Sequence, residues 1–424
     1  MSILIKKGFV IDPATGTKGT RDILILGDKI EKVQEDINVE ADQVIFADGM
    51  YVMPGFVDLH VHLREPGFEY KETIATGAMA AARGGFTTIC PMPNTKPAID
   101  NKYMIEYINM KAKEEAAVHV LPIGAITKGQ AGSELADIAG MAAAGAVAIS
   151  EDGKSVMNTK VYLQGMRQAR LAEIPVFAHC EDKDLVQCGV INEGIKSHEF
   201  DLPGISNAVE DVIAARDILL AKESGVRLHL CHCSTQDSVT FVKFAKEAGL
   251  PVTGEVCPHH FSMADEDIPS DDGNYKMNPP LRSRTDVEAL KIALRDNIMD
   301  VIATDHAPHG EEEKAKSISE APFGIVGLET AFSLTMTELV ATGYLTPTQL
   351  VEKMSLNPAK ILGIDKGSLA VGKMADIVIA DPKQQYRIDV NEFASKGRNT
   401  PFHGKEVVGR IKTTIVAGEI VYQD

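Results

Sequence analysis

Eight short runs of apolar and β-branched residues alternate with longer Ala-rich stretches of helical periodicity through the middle of the chain. β-rich segments bounded by turn residues occupy both ends. These two observations predict an α/β protein: a (β/α)₈ barrel of the TIM type with a small β-sandwich domain built from the N- and C-terminal segments. A doubly wound open sheet is the alternative that the same alternation admits. A length of 424 residues accommodates one large and one small domain. The expected division is 1–53 as the first part of the β domain, 54–364 as the barrel, and 365–424 as the second part of the β domain.

The N-terminal flank reads as strands over 3–11, 22–26, 29–33 and 44–47, the last closed by Asp48-Gly49. The barrel strands end near His62, Met92, Ala125, Ser150, His179, His232, Val256 and Asp305, with helical patterns such as 72–83, 209–222 and 235–248 between them. The C-terminal flank offers strands over 375–380, 387–390 and 409–421, with Gly418 at a hairpin turn. A barrel carries its chemistry at the C-terminal ends of its strands, so the residues at those eight positions matter most.

Composition narrows the function classes. The chain has 43 Lys+Arg against 60 Asp+Glu, a formal net charge of −17, with 44% hydrophobic and 24% charged residues. An acidic balance spread along the sequence gives no basic footprint for nucleic acid or an anionic membrane, so a small-molecule partner is expected. The N-terminus lacks the order of a signal peptide and no long apolar run follows, which points to the cytoplasm. Cysteines 90, 180, 188, 231, 233 and 257 are too sparse for a disulfide scaffold and read as reduced thiols.

The first barrel strand ends Asp58-Leu59-His60-Val61-His62-Leu63-Arg64. Side chains alternate faces along a strand, so His60 and His62 point the same way and can bind one metal ion. Asp58 shares their face, as an orienting carboxylate or simply a buried one. His179 and His232 sit at two further strand ends, where four histidines of one barrel face can meet. His229, Cys231 and Cys233 have the opposite strand parity from His232 and are expected to pack toward the helices. Asp305 ends the eighth strand, where a carboxylate can ligate a metal through one oxygen and move a proton through the other. The fourth strand ends Ser150-Glu151-Asp152-Gly153-Lys154, and Asp152, just before the turn glycine, is preferred over Glu151 as a bridge between metals. Four imidazoles and two carboxylates suit Zn²⁺, with Mn²⁺, Fe²⁺ or Co²⁺ as alternatives. The count exceeds the needs of one catalytic ion. Two Zn²⁺ per chain, bridged by Asp152 and a hydroxide, share the ligands sensibly and would make a hydrolase's nucleophile.

This combination resembles the amidohydrolase superfamily and, within it, the class I dihydroorotases. The resemblance spans nearly the whole chain, through His60-Val61-His62-Leu63-Arg64-Glu65-Pro66-Gly67, Pro91-Met92-Pro93-Asn94-Thr95, Cys231-His232-Cys233-Ser234, Met277-Asn278-Pro279-Pro280-Leu281-Arg282 and Thr304-Asp305-His306-Ala307-Pro308-His309. Asp152 is the sharpest discriminator, because hydantoinases, dihydropyrimidinases, allantoinases and class II dihydroorotases commonly place a carbamylated lysine there. Lys154 reads as a solvated loop lysine. The resemblance implies reversible cyclisation of N-carbamoyl-L-aspartate to L-dihydroorotate in pyrimidine biosynthesis, with Asp305 as general acid/base. It implies a substrate-binding set of His62, Arg64, Asn94, His309, Asn278 and the backbone at Phe323 and Gly324. A homodimer and an association with aspartate carbamoyltransferase are the macromolecular partners it suggests. Taken singly, Arg64 also fits a surface salt bridge, Asn94 a turn former and His309 a solvated loop. Residues 310–323 read as a mobile cover, and His259 and His260 as supporting residues without a metal role. A related cyclic amidase, or a non-catalytic scaffold, are the competing readings.

Overall fold

Why the middle of the chain closes on itself is visible in the pairing of its strands. The computed structural model describes all 424 residues. Five strands come first: β1 (Ser2–Asp12), β2 (Thr17–Leu26), β3 (Lys29–Gln34), β4 (Gln43–Phe46) and β5 (Tyr51–Pro54). The barrel then uses β6 (Phe56–Val61), β7 (Phe86–Pro91), β8 (His119–Val120), β9 (Ile123–Ala125), β10 (Ala148–Ser150) and β11 (Val176–Ala178). A two-stranded excursion, β12 (Ile191–Asn192) with β13 (Gly204–Ile205), precedes β14 (Leu228–Leu230), β15 (Val252–Val256) and β16 (Val301–Ile302).

β6, β7 and β8 pair in parallel, as do β9, β10, β11, β14, β15 and β16 in that order. β8 and β9 are two parts of one staggered segment, which pairs with β7 on one side and β10 on the other. The ring is completed where Val61 bridges His306 in parallel and the His62 N–H donates to the His306 carbonyl at 2.8 Å. Closure excludes the open-sheet alternative and leaves eight staves.

Alternation along the staves sorts the core. Val57, Leu59, Cys90, Ile123, Ala148, Phe177, Cys231, Val301 and Ala303 fill the barrel interior. Ile89, Val120, Ile149, Val176, Leu228, Leu230, Val252 and Ile302 face the surrounding helices. The helix Ile74–Arg83 shows why those helices form where they do. Thr73 caps it reciprocally with Thr76, and Ile74, Ala78, Ala81 and Ala82 give it a narrow buried face. Phe56 and Phe86, fully buried with centroids 5.6 Å apart, each contribute about 2 kcal/mol of apolar burial at the base of the first two staves.

Both chain ends meet in one continuous, mostly antiparallel sheet. β17 (Ile377–Arg387), β18 (Glu406–Val416) and β19 (Glu419–Gln423) join it through the β5–β17 pairing. Ile377 and Ile379 point into a small core with Ile3, Ile5, Ile23 and Ile25, while Val378 and Ala380 pack on the barrel's own core. Gly418 makes the β18–β19 turn expected of it, at φ +78°, where a Cβ would strike the Gly27 carbonyl.

Not every residue of 365–424 lies in this sheet. Between β17 and β18 the chain leaves the sheet, and Ile388, Phe393, Phe402 and Val407 join Met277, Leu281, Ile318, Ile325 and Val326 in a separate cluster. Residues 394–400 thereby reach the segments that follow β16. No helix is long and apolar enough to cross a membrane.

Candidate metal centre and active site

The strand ends bring six residues to one place. His60 Nε2 lies 3.3 Å from Asp152 Oδ1 and 3.5 Å from Asp305 Oδ1. His62 Nε2 lies 3.0 Å from Asp305 Oδ1 and 3.6 Å from Asp152 Oδ2. His179 Nδ1 and His232 Nε2 are 2.9 Å apart, at 3.5 Å and 3.8 Å from Asp152 Oδ1. Asp152 therefore stands between a His60/His62/Asp305 group and a His179/His232 group, and none of the six is more than 6% exposed. Glu151 is turned away: it accepts hydrogen bonds from the Ile126 and Thr127 N–H groups and the Thr127 hydroxyl, at the end of the neighbouring stave. Lys154 is exposed, as a solvated loop lysine should be.

The sixth stave corrects the parity argument. His229 and Cys231 do not face the helices; His229 packs on Phe177 at 5.0 Å between centroids, and Cys231 belongs to the interior cluster. Only Cys233 packs outward. The reason is backbone geometry, because β14 ends at Leu230 and His232 adopts φ +33°. A residue in that region turns its side chain out of the strand's alternation, so counting by twos across it fails. Asp305 (φ +48°) and Arg64 (φ +61°) share the left-handed region, which marks three strand-end residues as held in conformations the surrounding packing must enforce.

Below the cluster lies a residue that motif reading missed. Glu255, on β15 and fully buried, takes His60 Nδ1 at 2.9 Å through one oxygen and His229 Nε2 at 3.0 Å through the other. His229 Nδ1 faces the Thr253 hydroxyl at 2.8 Å. Burial opposes charge on Glu255, but the bonds from His229 and His60 hold its carboxyl down at about 2. A charged residue inside an otherwise apolar barrel strand was the available signal. Asp58 Oδ1 accepts from the His60 and Thr304 N–H groups and so ties the first stave to the eighth. Glu72, which contacts His306 at 3.3 Å, and Glu181, 3.8 Å from His179 Nε2, were also missed.

These residues fit a metal centre. His60 Nε2 and His179 Nε2 are buried without hydrogen-bond partners, an arrangement that costs free energy unless another ligand satisfies them. His60, His62 and Asp305, and separately His60, Asp152 and His232, place donor atoms within 4.8 Å of one another. Imidazole with carboxylate suits divalent transition ions. Burial disfavours charge throughout, yet Asp152 and Asp305 hold the His60 imidazole well above its ordinary range, and the histidines hold Asp152 well below its own. His259 and His260 lie nearby, but His260 Nε2 is spent on the Pro279 carbonyl at 2.9 Å.

Around this cluster the other predicted residues form one wall. Asn94 links His62 Nδ1 and Asp152 Oδ2, both at 2.9 Å. Arg64 is no surface residue: its Nε donates to the Pro308 carbonyl at 3.1 Å, which leaves the terminal nitrogens beside His309. His309 is buried, donates from Nε2 to the Phe323 carbonyl at 2.7 Å and receives Lys71 Nζ on Nδ1 at 3.0 Å. Burial first, then Arg64, Lys71 and Lys314, push its imidazole down to about 2, so it is neutral. Asn278 donates to Glu181. Gly324, at φ +126°, has no room for a Cβ, which would lie 2.7 Å from Ala307 Cβ and 3.1 Å from His309 Nε2. Within 310–323, buried Lys314 donates to the carbonyls of Lys276, Pro322 and Gly324 at 3.0, 3.0 and 2.8 Å.

With the geometry in place, comparison with known proteins is informative. The "Dihydro-orotase-like" family model matches residues 49–238. A dihydroorotase of Pelotomaculum thermopropionicum is 50% identical over 424 residues, covering 100% of this chain and 99% of the relative. A dihydroorotase of Acetivibrio thermocellus is 48% identical over 422 residues, with the same coverage. Among solved structures, an L-hydantoinase of Arthrobacter aurescens superposes with a TM-score of 0.90 at 27% identity, covering 99% of this chain and 96% of that one. A dihydropyrimidinase of Brevibacillus agri gives 0.87 at 25% identity, covering 100% and 95%.

Proposed function

The chain belongs to the dihydroorotase family, and from that premise we propose how its strand-end residues act. It is a cyclic amidohydrolase of pyrimidine biosynthesis, and its reaction is the reversible closure of N-carbamoyl-L-aspartate to L-dihydroorotate. In this proposal, barrel residues 54–364 carry the chemistry, with 1–53 and 365–424 forming the sheet domain. His60, His62, Asp152, His179, His232 and Asp305 would hold two Zn²⁺ ions, with Asp152 shared between them. When bound, such ions polarise an amide carbonyl and bring a water's pKa toward neutrality.

The chain's own residues do the rest. Asp305 presents Oδ1 to His60 and His62, which leaves Oδ2 to move a proton. In the hydrolytic direction it accepts the proton of the attacking water and delivers it to the leaving ring nitrogen; in cyclisation it works in reverse. Arg64 offers its terminal nitrogens as a fork for the substrate's free carboxylate. Asn94, neutral His309 and Asn278 supply directional hydrogen bonds, and the Phe323–Gly324 backbone lies against the ring. The single observation that carries this reading is the placement of Asp152 between the two groups of histidines, with no lysine there. A hydantoinase-like reading lacks the lysine it would call on.

The deciding experiment is an ultraviolet assay of dihydroorotate ring opening on protein of measured zinc content. The expected result is turnover that scales with metal up to about two equivalents per chain. Ring opening of hydantoin with dihydroorotate inert would overturn the substrate assignment, and turnover undiminished after exhaustive chelation would overturn the metal. Six free cysteines fit a cytoplasmic setting in the same proposal. A homodimer and an association with aspartate carbamoyltransferase complete it; size-exclusion chromatography of the chain, alone and mixed with that enzyme, checks both.

A further inference from the structure

Asn399 lies far from every barrel stave in sequence, between two strands of the small sheet, yet its side chain sits under the wall of the active site. It is 3% exposed and uses every donor and acceptor direction the wall offers it. Its Oδ1 accepts from the His309 N–H at 3.1 Å. Its Nδ2 donates to the Ala307 and Gly324 carbonyls, both at 3.0 Å. Its own carbonyl accepts from the Val326 N–H at 2.9 Å. One amide thus spans the segment after β16 and the segment carrying Phe323 and Gly324. A two-sided amide is needed for this, because the wall presents one N–H and two carbonyls at once.

The loop that delivers Asn399 is itself anchored. Ser395 donates to Glu72, the partner of His306, and the Ala394 and Ser395 N–H groups donate to Glu329 at 2.7 and 3.2 Å. Lys314 Nζ adds a second donor to the Gly324 carbonyl. The wall's backbone is consequently held by a residue whose hydrogen-bond partners are Ala307, His309, Gly324 and Val326, none of them one of the six clustered strand-end residues.

We infer that Asn399 is a positioning residue for substrate binding: it fixes the spacing between His309 and the Phe323–Gly324 backbone, so that the small domain's inserted loop sets affinity for the dihydroorotate ring. The inference rests on the proposed substrate contacts of His309 and the 323–324 backbone. It predicts a defect in substrate binding rather than in bond making, because Asp305 and the metal ligands are untouched.

The test uses zinc-loaded full-length protein. Asn399→Asp keeps size and the acceptor for His309 but loses both donors and sets a carboxylate against two carbonyls. Asn399→Ala loses all three bonds. Both variants should raise KM for dihydroorotate about tenfold with kcat within about twofold of wild type, because uniform binding is lost while the transition-state contacts remain. Zinc content should stay the same, and amide exchange should quicken over 306–326. Thr414→Val, which removes the 2.7 Å bond from β18 to the Ala82 carbonyl, is the stability control: it should lower Tm without moving KM. Wild-type KM in soluble, zinc-loaded Asn399→Asp would overturn the inference, as would a KM rise of equal size in Thr414→Val. His309→Ala separates the two levels. A raised KM there with an unchanged one in Asn399→Asp defeats only the positioning role, whereas an unchanged KM in His309→Ala defeats the substrate reading and this inference with it.

Discussion

The two halves of the barrel mouth are built in different ways. The metal half draws each residue from the end of a stave, and its orientation comes from buried carboxylates within the barrel, Glu255 beneath His60 and Asp58 between the first and eighth staves. The substrate half is made of loop residues, Arg64, Asn94, His309 and Phe323–Gly324, held by side chains that donate to backbone carbonyls of other loops: Arg64 to Pro308, His309 to Phe323 and Asn399 to Gly324. Staves are rigid and fix direction through their pleat; loops take direction from whatever packs behind them. Damage to the first half should therefore cost chemistry and metal, and damage to the second should cost substrate affinity.

The largest expected effect probes the metal half. Asp305→Asn should lower kcat by about 10²–10⁴-fold, the range of a lost general acid/base, while zinc analysis still finds substantial metal on the remaining ligands. Turnover near wild type would remove Asp305 from the proposed proton path. Next, Glu255→Gln should weaken zinc binding by about 10–100-fold in competition with a chromogenic chelator, because the amide no longer fixes His60 through an ionic acceptor. Unaltered affinity would mean that His60 is oriented by packing alone.

The substrate half should respond in KM. Arg64→Lys replaces a planar fork by a point charge and should raise KM by about tenfold with little change in zinc content; equal kinetics would dissolve the carboxylate clamp. The smallest effect is one of pH. His309 has its folded pKa depressed to about 2, so between there and its unfolded value near 6.5 the unfolded chain binds the extra proton. Its contribution to stability is present above pH 6.5 and lost as pH falls. Tm measured from pH 7.5 to 5 should accordingly fall less steeply in His309→Asn than in wild type. Parallel slopes would show that His309 is not held neutral by its burial beside the cationic wall.

How much of this was legible follows from range. His60 and His62 could be placed from two residues of spacing, since a strand's period of two is local. Asp152 could be preferred to Glu151 from its turn glycine, but the reason, Glu151's capture by the Ile126 and Thr127 amides, belongs to a neighbouring stave. His229 was misplaced because strand parity was carried through a residue at φ +33°, and a positive φ on a non-glycine residue has no local signature. Glu255 and Asn399 were invisible as site residues because His60 lies 195 residues from Glu255, and the side-chain partners of Asn399 lie 75 to 92 residues away along the chain.

The net charge of −17 also changes meaning once the mouth is seen. An anionic substrate must be drawn by local cations, and Arg64, Lys71 and Lys314 cluster around His309, so the acidic total serves solubility elsewhere on the surface.

By itself the sequence determined the eight alternating units, the pairing of both chain ends in one small domain, and the residue types at the strand ends. These are properties of hydrophobic period and short spacing, which act over a few residues. Only the tertiary structure decided that the staves close, which oxygen of Asp152 faces which imidazole, and that a loop from the small domain comes to stand behind His309. Those depend on groups meeting across tens to hundreds of residues, where packing and hydrogen-bond satisfaction, rather than local propensity, select the partner.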